Sequence, residues 1–254
     1  MMRDAMTRLI TIPFSHYCEK ARWALDRCGV AYEEDGHLPV FHYLATYRAG
    51  ARRTVPVLVD GTTVVRDSTD IVAWADAKRP GTLLPVSGAT DVLAIEDDLD
   101  DHVGPATRRW AYFHLLPNRG ADRFITADVP RWERALLRAT RPVAVSYLRR
   151  SLKIDAAGAE RSRLKIEAAF ARVEQILADG RRYIAGDRFT VADLTFAALA
   201  APVLLPDNHP VQSFDPALFG DAVREQIHAW RERPAGQLVL RLYAEDRAPL
   251  ARAA

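Results

Sequence analysis

The stretch FSHYCEKARWAL, residues 14–25, sets Ser15 three residues ahead of Cys18, one of only two cysteines in the chain. The S-x-x-C spacing is that of a dithiol redox motif in which oxygen has replaced the first sulfur. At the start of a helix, Ser15 would be a natural N-cap. It would also stand among free N–H groups at the positive end of the dipole, where an anion such as a thiolate is favoured. These residues alone leave both readings open. Cys18 and Cys28 lie on one predicted helix and cannot bridge each other without breaking it, so no disulfide framework is encoded. A reducing compartment fits this usage, and Cys18, one turn into the helix, is expected to be buried and inert.

Three other clusters carry usable chemistry. Asp67-Ser68, in RDSTDIVAWAD, offers a carboxylate for an ammonium group and a hydroxyl plus helix N–H groups for a carboxylate, although helix capping explains the same residues. RRWAYFHLLP brings Trp110, Tyr112, Phe113 and His114 together, an aromatic set suited either to an apolar pocket or to a core. His42, Arg52 and Arg53 are basic residues able to meet a carboxylate or to stay solvated. His102 and His114 have no neighbours at metal-ligand spacing, so no metal site is expected.

The elements that must position these residues follow from periodicity. RLITI alternates as a strand, and Ala21, Ala24, Leu25 and Cys28 recur at helical spacing. VAYEED reads as a second strand and FHYLATYRAG as a short helix ending near Gly50. PVLVDGTTVVR reads as a hairpin turning at Asp60-Gly61, and DSTDIVAWADAK as a helix. The order βαβ then ββα requires one mixed sheet with helices packed on it, because a parallel strand pair needs a crossover. This is thioredoxin-like order, expected over residues 1–79. RPGTLLPVSGAT gathers breakers and marks a linker at 80–90, and residues 91–254 show only helical stripes. The fold class is therefore an α/β domain followed by an all-α domain. Gly104-Pro105 is expected to kink or split the first helix of the second domain. Thr190 and Asp193 have capping-box spacing before an apolar run, and their role is expected to be structural.

Bulk composition excludes several classes. A chain of 254 residues with 49% hydrophobic and 27% charged residues can bury a sizeable core, and a net charge of +2 argues against a dedicated nucleic-acid partner. The arginines read as scattered over solvated faces. The N-terminus has no apolar stretch of signal-peptide length, and no segment approaches a membrane span, so a cytoplasmic protein without a membrane partner is expected. No internal repeat or low-complexity tract is present.

Together these features resemble the cytosolic glutathione transferases of the serine-type, bacterial kind, with the class unassigned. SHYCEKARWAL resembles the serine-type first-helix signature, and TVPVLV the Val-Pro segment in which Pro56 would be cis. RDSTDIVAWAD resembles the helix start that binds the γ-glutamyl end of glutathione, and Thr190 to Asp193 the second-domain capping box. The four landmarks fall in the right order across nearly the whole chain. The resemblance implies glutathione as co-substrate, Ser15 as the residue that activates its thiol, and binding by Arg53, Val55, Pro56, Asp67 and Ser68. With Pro56 cis, Val55 would expose its backbone groups to the cysteinyl part of the peptide. The resemblance further implies a small apolar electrophile held by Trp110, Tyr112, Phe113 and His114, a role in detoxification, and a homodimer. No tyrosine stands near the end of the first strand, which excludes a tyrosine mechanism. The second domain is longer than usual, chiefly over 105–151, and the resemblance does not extend to that insertion. Two rivals stand beside this reading: a glutathione-dependent oxidoreductase using Cys18, and a non-catalytic binding or scaffold protein of the same fold.

Overall fold

The first strand, β1 (Arg8–Thr11), places Leu9 and Ile10 on opposite faces, and both are fully buried. A strand buried on both sides belongs in the middle of a layered structure. The computed structural model, which describes residues 6–85, 87–211 and 215–247, places it there. β1 is followed by α1 (His16–Arg27), β2 (Glu33–Gly36), α2 (His42–Arg48), β3 (Val57–Asp60), β4 (Thr63–Arg66) and α3 (Ser68–Lys78). The sheet order is β2-β1-β3-β4, with β1 parallel to β2 and antiparallel to β3, and β3 antiparallel to β4. The expected mixed sheet is thus present. Leu9 and its β3 partner Leu58 face the main core with α1 and α3, whereas Ile10 and its partner Val57 face a small cluster containing Ala51 beyond α2.

The helical part comprises α4 (Ala89–Leu115), α5 (Asp122–Ile125), α6 (Arg131–Ser151), α7 (Ala156–Leu177), α8 (Val191–Leu204), α9 (Asp221–Glu232) and α10 (Pro234–Glu245). Residues 1–5, 212–214 and 248–254 of the two expected domains, and Val86 of the expected linker, lie outside the described residues. α8 is apolar all round, and all of its residues are buried among α1, α4 and α10. Its start is held by the expected capping box: Asp193 Oδ2 accepts the Thr190 N–H at 2.9 Å, and Oδ1 accepts the Ile184 N–H at 2.7 Å.

Of the expected kink or split, the split does not occur. α4 is not ended at Gly104-Pro105 but runs through Pro105 as one helix. Side chains of α1 take the carbonyls there. Tyr17 donates its hydroxyl to Asp100 O at 3.1 Å, and His16 Nε2 lies 3.0 Å from Gly104 O. Burial holds His16 near pKa 3, so the ring is neutral and donates from Nε2. Gly104 has no side chain for a packing reason: a Cβ there would stand 2.1 Å from the Tyr17 hydroxyl. The proline therefore marks the place where α1 docks on α4.

Candidate active site

Ser15 is the N-cap of α1 in extended conformation (φ −79°, ψ 125°), and its side chain makes no capping hydrogen bond. The local fold is held by its backbone instead, with Ser15 N donating to Ile12 O and Ser15 O accepting from Glu19 N, both at 2.9 Å. The hydroxyl takes no helix N–H group; its side-chain hydrogen-bond partner is the Cys18 thiol. Cys18 is fully buried, and burial pushes that thiol up to about 11. A protonated, inaccessible thiol is a poor nucleophile, which weighs against the oxidoreductase reading.

Ser15 opens on a cleft of about 270 Å³ between the α/β part and the helices. Tyr17, Arg53 and Val55 line it on the Ser15 side, Arg108 and Tyr112 of α4 face them, and Tyr147 and Leu148 of α6 complete the wall. Behind it lies a smaller apolar chamber of about 60 Å³, which shares Pro39, Val40, Tyr112 and Leu148 with the cleft and is otherwise walled by residues such as Phe14, Leu115 and Val145. Arg141 closes its far side, donating from Nε to both oxygens of Asp122 at 2.7 and 2.9 Å.

Of the residues singled out from sequence, Ser15, Arg53, Val55 and Tyr112 line this cleft. The Val55-Pro56 peptide bond is cis, with Pro56 itself buried behind Val55. Arg53 donates from Nε to the Tyr47 hydroxyl at 3.1 Å. His42 also lines the cleft, but its Nε2 is 2.8 Å from Arg53 O, so it holds the loop that carries Arg53. Arg52 is exposed and does not line the cleft.

Asp67 and Ser68 head α3 beside the cleft rather than in its wall. Asp67 has φ +79° and ψ 147°, a conformation that side chains rarely adopt and that costs about 1–3 kcal/mol. Its Oδ1 accepts the Thr69 N–H at 3.0 Å. Its charge reaches Tyr17, whose hydroxyl is pushed up mainly by burial and further by Asp100 and Asp67. The segment is anchored by a buried ionic cluster at the junction of α1, α3 and α4. Lys20 Nζ donates to Thr69 Oγ1 at 3.0 Å, to Asp100 Oδ2 at 2.7 Å and to Glu96 Oε1. Thr69 Oγ1 in turn donates to Glu96 Oε1 at 2.6 Å. Burial raises the carboxyls of Glu96 and Asp100, with Lys20 opposing it.

The aromatic cluster divides. At about 100° per residue, positions 108 and 112 of α4 share one face and positions 110 and 114 point the other way. Trp110 is accordingly 3% exposed and meets Trp230 edge-on at 4.8 Å in the helical core, so it is a core residue and not part of the cleft. His114 stacks edge-on against Trp110 at 4.6 Å and Phe113 against His114 at 5.0 Å, and neither lines the cleft.

The same geometry brings in residues that the sequence reading passed over. Arg108, half-buried, makes no hydrogen bond or ion pair with any described residue, yet its charge is felt at His16, Tyr17 and Tyr112. Burial pushes the Tyr112 hydroxyl up to about 12 while Arg108 pulls it down. The signal for Arg108 was its spacing of four residues from Tyr112 on one helix. α6 was missed as a wall. Its N-terminal turn is clamped across the cleft by Glu133, whose carboxylate accepts the Leu38 N–H at 2.8 Å and lies 2.6 Å from His37 Nδ1. His37 Nε2 is 3.0 Å from Asp35 Oδ1, and these two carboxylates raise the imidazole to about 9.

The model of the glutathione S-transferase N-terminal domain matches residues 9–83, and that of the C-terminal domain matches residues 156–233. The two segments together span more than half of the chain, which therefore belongs to the glutathione S-transferase family. It is a glutathione transferase, with glutathione as its co-substrate. The fold is shared with a glutathione S-transferase of Ceriporiopsis subvermispora solved in complex with glutathione (17% identity, 96% of this chain and 98% of that one, TM-score 0.61). It is shared also with glutathione transferase GSTFuA2 of Phanerochaete chrysosporium (18% identity, 96% and 99%, TM-score 0.62). Glutathione transferase F2 of Populus trichocarpa aligns more loosely (16% identity, 94% and 99%, TM-score 0.55). No curated protein matches the chain at a significant level.

Proposed function

We propose that this transferase is of the serine type and works by holding the glutathione sulfur as a thiolate at Ser15 for attack on a small, partly apolar electrophile. The observation that carries the reading is the Ser15 hydroxyl: it stands at a helix start, makes no capping bond, and opens on the cleft lined by Val55 and Arg53. Val55, set by cis Pro56, pairs with the cysteinyl backbone of glutathione. Asp67 and Ser68 take the γ-glutamyl ammonium and carboxylate, and Arg53 takes the glycyl carboxylate. The thiol proton leaves to solvent, and the Ser15 hydroxyl and the α1 N-terminus favour the anion that remains. The sulfur lone pair forms the S–C bond, and the displaced electron pair passes to the leaving group or the activating group of the acceptor. Arg108, on the opposite wall, faces that arriving negative charge. Tyr112 and the apolar chamber hold the acceptor's apolar part.

The reading includes a thioredoxin-like glutathione domain over 1–79, a linker at 80–90, a helical domain over 91–254 that carries the electrophile site, a cytoplasmic location and a homodimer. Among the described residues no helix is long and apolar enough to cross a membrane. Retention on immobilised glutathione followed by an assay with a generic electrophile tests the proposal. Retention with turnover supports it, retention without turnover identifies a binder, and thiol exchange without conjugation identifies the Cys18 rival.

A further inference from the structure

The segment RWERALLRATRPVAVSYLRRSLK, residues 131–153, carries seven basic residues and one acidic residue, a net +6 in a chain whose total is +2. Its one carboxylate, Glu133, is turned inward onto His37 and Leu38. Arg141 is turned inward onto Asp122. Arg131, Arg138, Arg149 and Arg150 remain on the exposed face, and none of them has an ion pair or side-chain hydrogen bond among the described residues. Trp132, Leu136, Val143 and Tyr147, at i, i+4, i+11 and i+15, form one apolar stripe along the same exposed half of α6, with Trp132 55% and Val143 72% exposed. Across the cleft mouth Val40, Leu44 and Tyr47 are exposed as well. The two sides meet: the Trp132 ring is edge-on to Phe41 at 5.6 Å, and the Tyr43 and Tyr147 hydroxyls are 3.5 Å apart. Most of the large hydrophobic side chains exposed in the described structure therefore lie in one patch, studded with unpaired arginines.

We infer that α6 is a docking helix for an anionic lipid bilayer surface. A helix with an aromatic and aliphatic stripe beside a basic one, modest in overall hydrophobicity, is the kind that lies in the headgroup region. The apolar stripe distinguishes this surface from a plain polyanion site. The uncompensated positive charge disfavours a second copy, which would bring two sets of unpaired guanidinium groups face to face. Val40 and Tyr147 belong both to the patch and to the cleft wall, so docking would set the cleft mouth at the membrane, where apolar electrophiles concentrate.

Co-sedimentation of the full chain with phosphatidylcholine vesicles, and with vesicles in which one third of the lipid is phosphatidylglycerol, tests this. The expected result is binding to the anionic vesicles alone, reversed by added salt. Arg138→Gln and Arg149→Gln should each weaken it about fivefold. Val143→Asp should weaken it further, with the circular dichroism spectrum and conjugation of a water-soluble electrophile unchanged. Absence of binding to anionic vesicles, or equal binding to both kinds, overturns the inference. So does conversion of a dimer to a monomer by Val143→Asp in light scattering, which would make the patch a subunit contact. None of these outcomes bears on glutathione chemistry, which the soluble assay reads separately.

Discussion

Replacing Ser15 by alanine separates a helix cap from a catalytic hydroxyl. A hydrogen bond to a charged partner contributes about 1.5–3 kcal/mol. If the Ser15 hydroxyl donates to the glutathione thiolate, its loss should raise the pKa of the bound thiol by about 1.1–2.2 units, at 1.36 kcal/mol per unit. At neutral pH, where the thiolate fraction then limits the rate, conjugation should slow by roughly 10- to 150-fold. Stability should barely change. The hydroxyl makes no capping bond, its hydrogen bond is to a thiol, a weak partner, and the Ile12 and Glu19 backbone bonds survive in alanine. The variant should therefore stay below the low end of the usual capping loss, about 0.5 kcal/mol. Nor can Cys18 substitute, since its thiol is buried and pushed up to about 11. The assay is a pH–rate profile of kcat/KM for conjugation, with calorimetry for glutathione affinity and a thermal melt for the fold. Wild type and variant with superimposable pH–rate curves would refute the mechanism, and a large loss of Tm with those curves unchanged would make Ser15 a cap after all.

Other changes probe the surrounding machinery. Arg108→Leu should lower kcat/KM by about 10- to 100-fold, for the loss of one charge-assisted contact, while glutathione affinity in calorimetry stays nearly constant; unchanged turnover would remove Arg108 from the reaction. Lys20→Met leaves Glu96 and Asp100 buried without their cation and should cost about 3–5 kcal/mol. Because burial already raises both carboxyls, protonation should relieve that loss, so the melting difference from wild type should grow from mildly acidic to alkaline pH; a pH-independent difference would contradict this. His37 is raised from 6.5 to about 9, so its contribution to clamping α6 is complete below 6.5 and is lost as pH rises through about 9. Allowing for its partial exposure this is worth about 1–2 kcal/mol, and the destabilisation by Glu133→Gln should shrink from neutral pH to pH 10. A constant destabilisation would show that His37 is not the group that titrates.

The α/β half was legible because its signals are local. RLITI reads as a strand, residues 57–66 turn back at Gly61, and in the helical half the equally local pair Thr190 and Asp193 announces the apolar helix α8. Of the candidate residues carried by chain order, Ser15, Arg53 and Val55, next to cis Pro56, line one cleft. Legibility failed where a residue's meaning depends on its partner across the structure. Pro105 reads as a break, yet α4 continues through it at the place where Tyr17 and His16 of α1 dock on the Asp100 and Gly104 carbonyls. Trp110 reads as a pocket residue until its face of α4 is known, and a run of consecutive aromatics spreads around a helix so that only some can face one cleft.

The acceptor is the least legible part of the chemistry for the same reason. α6 is held by tertiary contacts at its start, Glu133 on His37 and Leu38, and at its middle, Arg141 on Asp122, rather than by a broad apolar face. Its inward residues Leu137, Ala144, Val145 and Leu148 form a narrow stripe that serves as chamber wall, while a second apolar stripe points outward. Two such stripes on one helix blur the single periodicity that marks an ordinary amphipathic helix. α6 also lies between the two segments that match the family, at residues 9–83 and 156–233. On the proposed reading, the glutathione half of the site is built from family sequence, whereas the wall assigned to the acceptor is built in part from a segment outside it. Acceptor preference should follow α6: exchanging Val145 or Leu148 should change the ranking of electrophiles by kcat/KM while leaving glutathione affinity in place, and an unaltered ranking would mean that the chamber is not where the acceptor binds.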